Sequence, residues 1–503
     1  SEMKKWIAIL LCAALFCLCG CTGPTQDPTD GPEDPPGTGG QQQEDFYSEL
    51  VLSYWMGVPL GEYYVETQAD GSKTLVWDEE NGHYKVNFVY TDKQMTALYQ
   101  DIVDAGFNLA FPECYNTSKE YNLKILKAAQ SVGIRQVIQD GRVTNYLIHQ
   151  DTMEQVAAGT LTEEEVVETV RGYLADYLEY DSFYALLILD EPGMEMMERV
   201  GFAKRIAEQV VPDKLFYTNL LPIYGYSPTV NDFDVYQEYL DAYFENVPNN
   251  PVACYDFYAL RGSDDGLGNT IVRNWLRNIW ALRTTIDEND AKYEGQHTDL
   301  WTFTQSVEHN QLRSLESTAD ATFQAYVNMS LGSTGILWFT YWAPNPGAEN
   351  GYGNGLVDMT GAKTDVYGYV SEANHEILKL APDFQKYRWT GVVTSPVRDS
   401  CGNLMALVDW ECEKNTSRWL TSITSTRDAY AGIFTDANGN DAYMVVNFVE
   451  PSADYTDNTV TLTIKEHDQA YVYVNGEKTT MPIEDGVLTL QMEAGDGCFV
   501  IPA

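Results

Sequence analysis

Two hydrophobic periodicities divide this chain. From about residue 50 to 390, short apolar runs alternate with longer segments whose apolar residues return every three or four positions. The runs at 50–56, 109–111, 135–138, 185–189, 215–219, 252–257, 300–304 and 335–341 predict eight strands. Stretches such as 162–179, 194–211, 271–286 and 317–331 predict amphipathic helices between them. Eight such alternations predict an α/β fold, a (β/α)8 TIM barrel. After Lys386 the texture changes to segments such as 442–448, 459–464, 470–474 and 487–492, separated by Asn438-Gly, Asn475-Gly and Asp485-Gly. That is the hairpin signature of an antiparallel β-sandwich. The expected domains are a barrel over 46–390 and a C-terminal sandwich over 391–503, because the body is too long for a single core.

The run Leu186-Leu-Ile-Leu-Asp-Glu-Pro-Gly193 carries the most information. Four aliphatic residues in succession read as a strand covered on both faces. The strand ends in two carboxylates, and Pro192 keeps Glu191 out of the helical region, which predicts an extended Glu191. A glutamate there would stand over the face where barrels keep their chemistry. The structural alternative is an acidic start to the next helix, which the helix dipole favours.

Polar or aromatic residues end the other predicted strands too. These are Tyr54-Trp55, Glu113, Gln139-Asp140, Thr218-Asn219, Tyr255-Asp256-Phe-Tyr258, Thr304-Gln305 and Tyr341-Trp342. A ring of such endings at one end of successive strands is what a binding site at a barrel mouth requires.

The N-terminus adds a location. Lys4 and Lys5 precede an apolar run from Trp6 to Leu18, then Leu18-Cys-Gly-Cys21. This pattern is a secretory signal, too short to span a bilayer as a helix. Its ending resembles a bacterial lipobox, so residues 1–21 are expected to be a lipoprotein signal with Cys21 as the lipidated residue. Residues 22–45 are rich in Pro, Gly, Thr, Gln and acid and read as a disordered linker with a reach of roughly 25–30 Å. The expectation is an extracellular protein on a bacterial surface, meeting the membrane only through a lipid anchor.

Net charge of −43 argues against a nucleic-acid partner or an anionic surface. Aromatic residues make up 13% of the chain, including 34 Tyr and 11 Trp, which suits stacking on sugars, although large barrels bury many rings. Of nine cysteines, Cys114, Cys254, Cys401, Cys412 and Cys498 lie beyond the signal. That odd number without CxxC spacing is neither a disulfide framework nor a zinc site. Six histidines without a His-x-His pair disfavour a metal-dependent barrel, and no phosphate loop, serine elbow or dinucleotide fingerprint occurs. No cofactor and no metal are expected.

Taken in order, Asp190-Glu-Pro, Asn219-Leu-Leu-Pro, Tyr255-Asp-x-Tyr258 and Trp338-Phe-Thr-Tyr-Trp342 resemble the clan A glycoside hydrolases. The likeness is greatest to a secreted bacterial subset that carries Asp-Glu-Pro. It covers roughly residues 50–390. The resemblance implies a carbohydrate substrate and an acid/base glutamate after the fourth strand, which Glu191 matches. Asp190 stands where the clan has Asn, so a donor to the sugar is lost, while its charge would hold Glu191 protonated. The clan's nucleophilic glutamate follows the seventh strand, but that strand ends here in Gln305, a neutral amide. Glu308 three residues on and Asp256 after the sixth strand are the candidates for the second carboxylate.

Substrate-binding candidates are Trp55, Glu113, Asp190, Asn219, Tyr255, Tyr258, Gln305, Tyr341 and Trp342. For Asp256 a loop cap, and for Asn219 and Gln305 closure of the barrel rim, are the structural alternatives. Two functions stay open: a surface glycoside hydrolase using paired carboxylates with Glu191 as general acid/base, or a carbohydrate-binding barrel that has lost its nucleophile.

Overall fold

The computed structural model describes residues 49–503 except 70, 72, 81–82, 227–232, 261–268, 310–311, 344–351, 397–416 and 454. The signal, Cys21, the 22–45 linker, Cys401 and Cys412 lie outside the described residues. No helix of the described residues is long and apolar enough to cross a membrane.

Eight parallel strands form one sheet. They are β1 (Val51–Tyr54), β2 (Leu109–Ala110), β3 (Arg135–Ile138), β4 (Phe183–Asp190), β5 (Leu215–Leu220), β6 (Val252–Asp256), β7 (Asp299–Gln305) and β8 (Ser333–Phe339). From β2 to β8 each strand pairs with the next, and β8 returns to pair with β1. The remaining seam, between β1 and β2, is closed largely by one side chain. Asn108 accepts from Leu52 N at 2.9 Å and donates to Leu50 O at 2.8 Å, while its backbone N–H donates to Leu52 O at 3.1 Å. Ser53 Oγ adds a bond to Leu109 O at 2.8 Å. Gly57 lets the chains touch just above: a Cβ there would lie 2.1 Å from Phe111 O.

The longer helices are α1 (Asp92–Asp104), α2 (Lys119–Val132), α3 (Glu163–Leu174), α4 (Met197–Val210), α5 (Phe233–Asn246), α6 (Asn269–Asp290), α7 (Thr318–Ser330) and α8 (Asp365–Phe384). Sequence signals explain their starts. Thr91 with Gln94, and Thr162 with Glu165, form capping boxes, and Ser118 caps α2. The barrel interior is filled by rings. Trp55 packs on Phe111 and Phe303 with centroids 5.6 Å away, and Tyr217 bridges Phe111 and Trp301.

An excursion between β1 and α1 was not indicated by the hydrophobic pattern. It holds three two-stranded ribbons pairing Gly61–Tyr63 with Val86–Val89, Val65–Thr67 with Lys73–Leu75, and Trp77–Asp78 with His83–Tyr84. Strands of two to four residues are too short to show a period of two.

The antiparallel part contains β9 (Tyr387–Thr394), β10 (Leu420–Ser425), β11 (Ala429–Asp436), β12 (Asp441–Asn447), β13 (Asn458–Ile464), β14 (Gln469–Val474), β15 (Glu477–Pro482), β16 (Val487–Met492) and β17 (Gly497–Pro502). One sheet has the order β9-β11-β12-β17-β14-β15 and the other β10-β13-β16. A core that includes Ile423, Ala431, Ile433, Val445, Leu462, Leu490 and Val500 fills the space between them. The opposite face of the larger sheet lies on the barrel, with Phe434 and Phe499 against Phe384 of α8 and Phe448, just past β12, against Phe323 of α7. Strand β12 is therefore buried along its whole length rather than alternating.

Candidate functional site

The site is built at the C-terminal end of β4. Strand pairing places Asp190 beside Asn219, and the Glu191 N–H donates to Asn219 O at 2.8 Å. Glu191 does not continue extended as expected; its φ is +47°. The proline that follows disfavours the right-handed helical region, and a chain that must turn sharply at the strand tip takes the left-handed one. That conformation costs a non-glycine residue about 1–2 kcal/mol, so the surroundings must hold it. They do so on both sides: Asn219 holds the Glu191 N–H, and Tyr239 Oη donates to Pro192 O at 3.0 Å.

The turn brings Glu191 into hydrogen-bond contact with Asp256, at the tip of β6. Asn219 ties the group together, its Nδ2 donating to Asp190 Oδ1 at 3.3 Å and to Asp256 Oδ1 at 3.1 Å. Tyr258 also hydrogen-bonds Asp256. Three carboxyls thus converge with one amide and one phenol between them, and among the described residues no cation acts on them.

Their electrostatics follow. Burial first, then the charges of Asp256 and Asp190, push the Glu191 carboxyl far above the ordinary carboxylate range. Asp256 is also raised by burial, but the bonds from Asn219, Glu191 and Tyr258 hold it down. Burial and Asp256 raise Asp190, while Asn219 opposes the shift. The proton therefore resides on Glu191 and the negative charge on Asp256. Asp190 is solvent-exposed and yet densely surrounded by protein.

The other nominated residues fall in different places. Glu308 is exposed in the loop after β7, with its carbonyl bonded to Gly353 N at 2.7 Å. The carboxylates acting on Glu191 are Asp256 and Asp190 instead. Gln305 is fully buried: its Nε2 donates to Leu260 O at 2.6 Å and Arg313 O at 2.9 Å, and its Oε1 accepts from Leu260 N at 2.8 Å. Its amide closes the rim. Glu113 is buried under the ribbon excursion, accepting from Tyr63 Oη at 2.6 Å, and burial raises its pKa to about 7.

Trp55 belongs to the ring stack inside the barrel, and Tyr341 and Trp342 are each 1% exposed, so none offers an open stacking face. Tyr341 packs on Tyr54, and Trp342 on Tyr63. Tyr255 is also buried, with its Oη unpartnered next to the site. Asn219 Oδ1 is buried and unpartnered as well.

Two neighbours were missed by sequence reasoning. Cys114 feels the Asp190 charge and is raised by burial, which keeps it a thiol rather than a nucleophile. Tyr239, from α5, holds the Pro192 turn. Only the position of Cys114 after Glu113 could have signalled it; nothing in the spacing signals Tyr239.

No family model matches this chain, and no curated protein matches it. Solved structures do. A glycoside hydrolase family 5 protein from Bacteroides vulgatus is 13% identical, with 88% of this chain and 95% of that chain covered and a TM-score of 0.44. An Anoxybacillus alpha-amylase is 10% identical over 91% and 98%, with a TM-score of 0.47. A glycosyl hydrolase family 2 member from Bacteroides cellulosilyticus is 11% identical over 84% of this chain but only 45% of its own, with a TM-score of 0.32. This chain therefore spans less than half of that last protein. The similarity to all three is one of fold.

Proposed function

We propose that the protein is a glycoside hydrolase that uses Glu191 as general acid/base on an oligo- or polysaccharide. The observation that carries this reading is the convergence of Glu191, Asp190 and Asp256 around Asn219 at the barrel mouth, where burial and the neighbouring charges push the Glu191 carboxyl far above the ordinary carboxylate range. A glycosidic oxygen is a poor leaving group until it is protonated, so such an acid is the first requirement of the reaction. When the sugar enters, Glu191 gives its proton to the leaving oxygen, and Asp256 and Asp190 face the positive charge that develops on the ring. The resulting Glu191 carboxylate then takes a proton from the incoming water.

A second reading, a non-catalytic carbohydrate-binding barrel, is favoured by one observation: Gln305 is tied to backbone groups where the clan A nucleophile would follow β7. Substituting Glu191→Gln separates the two. With a ligand first identified on a glycan array, the hydrolase reading expects hydrolysis of the unactivated glycan to fall by about 10²–10⁴-fold with affinity nearly intact. A wild-type protein that binds the glycan without cleaving it would leave the second reading standing. We further propose that Cys21 carries a lipid and tethers the enzyme at a bacterial surface through the 22–45 linker. Cys21→Ser should then move the protein from the membrane fraction to the soluble one, and unchanged fractionation would refute the tether.

A further inference from the structure

Within the glycosidase reading, on which this inference rests, we propose that the nucleophile comes from the substrate, a 1,2-trans glycoside of a 2-acetamido-2-deoxy sugar whose acetamido group is held by Asp190.

The geometry leaves little else. Two-carboxylate retention needs carboxyls about 5–5.5 Å apart, and inversion needs about 6.5–9.5 Å. Glu191 and Asp256 are in direct hydrogen-bond contact, with no space for an anomeric carbon or a water between them. At the tip of β7 the amide of Gln305 is engaged by Leu260 and Arg313, and Glu308 beyond it is exposed in its loop.

What the site does offer is an acceptor. Asp190, one residue from the acid, is open to solvent, and its bond from Asn219 is a long one at 3.3 Å. A substrate N–H that reaches the exposed Asp190 carboxylate finds an acceptor there, and an acetamido N–H next to the anomeric carbon is such a donor.

The atoms balance without a protein nucleophile. The Glu191 proton goes to the glycosidic oxygen as the C1–O bond breaks. The acetamido carbonyl oxygen forms a new bond to C1 from the opposite face, which requires the 1,2-trans configuration. Asp190 holds the N–H, or takes its proton, as positive charge spreads over the five-membered ring. Water then adds to C1, the Glu191 carboxylate accepts its proton, and the ring opens to restore the amide with net retention. The raised pKa of Asp190, near 7, suits a group that takes and returns such a proton.

The test is a rate comparison on the full-length enzyme. The probes are 1,2-trans 4-nitrophenyl glycosides and oligosaccharides carrying either 2-acetamido or 2-hydroxyl groups, together with the thiazoline analogue of the cyclic intermediate. The 2-acetamido series should be cleaved faster by at least on the order of 10³-fold. The thiazoline should inhibit competitively. Asp190→Asn should lower kcat by on the order of 10²-fold at unchanged melting temperature, and kcat should fall stepwise as fluorine is added to the acetamido methyl. Equal or preferential cleavage of 2-hydroxy glycosides overturns the inference and leaves the glycosidase reading intact. Cleavage of neither series overturns both.

Discussion

At the scale of single residues, the carboxyls at the tips of β4 and β6 have no cation beside them among the described residues. Glu191, Asp190 and Asp256 share one asparagine, and they titrate as a cluster rather than as three independent groups. Asp256 has the most donors, so it ionises first and leaves the proton on Glu191. The sequence suggested Asp190 as the cause of that retention, because the two are adjacent. Burial and Asp256 act more strongly, and Asp256 arrives from a strand two positions away. Glu113 offers a cleaner test of the same physics, since its only side-chain partner among the causes of its shift is Tyr63. The unfolded chain releases this proton near the ordinary carboxylate pKa, whereas the folded chain holds it to about 7. Folding stability should therefore fall as pH rises across that window, by on the order of 3 kcal/mol once the pH exceeds about 7. Glu113→Gln should flatten this part of the dependence, giving a smaller drop in melting temperature between pH 5 and pH 8 than in the wild type. Identical slopes in the two proteins would show that Glu113 carries no such penalty.

At the scale of elements, legibility followed periodicity. All eight barrel strands were readable, because an apolar run flanked by amphipathic helices has few other interpretations. The ribbons over residues 61–89 were not, since no strand there exceeds four residues. The site divides in the same way. Asp190, Glu191, Asn219, Asp256 and Tyr258 were nominated because they end strands, and they do converge. Trp55, Tyr341 and Trp342 also end strands, but large rings at those positions fill the barrel and its rim instead. Residue type at a strand end thus marks the rim, while inward or sideways packing depends on neighbours distant in sequence. Gln305 shows the distinction best. Placing a carboxylate at the end of β7 by Gln305→Glu should not create a nucleophile, because the side chain is bound to Leu260 and Arg313 rather than turned toward Glu191. A carboxylate cannot donate to the two carbonyls, so the variant should lose about 2–4 kcal/mol in denaturant titration without gaining hydrolytic rate. A rise in hydrolysis would mean that position 305 reaches the substrate.

At the scale of the whole molecule, the barrel and the antiparallel sheets share a helix. Residues Asp320 to Ser330 of α7 are buried on every side, because the barrel covers one face and the sheet of β11, β12 and β17 covers the other. The contact is made close by glycines where side chains would not fit. A Cβ on Gly432 would lie 2.0 Å from Ser330 O, and one on Gly497 would lie 2.1 Å from the Tyr326 ring. Ser330 Oγ and Tyr430 Oη are hydrogen-bonded across the same surface at 2.9 Å. Along β11 the residues alternate between the two cores, with Gly432 and Phe434 toward the barrel and Ala431 and Ile433 toward the sandwich. A sheet that supplies one wall to each of two cores couples their unfolding, since neither can open without exposing the other. The sandwich is in this sense part of the scaffold that fixes α7 beside β7 and β8, two strands of the barrel. Gly432→Ala should therefore lower the stability of the entire molecule by about 1–3 kcal/mol, because the facing group is backbone and cannot turn aside. Calorimetry should show one transition moving to lower temperature in the variant, with loss of barrel and sandwich signals coinciding. Two separated transitions, with the barrel unchanged by the substitution, would mean that the sheets are an independent appendage and that the shared helix does not bind the halves together.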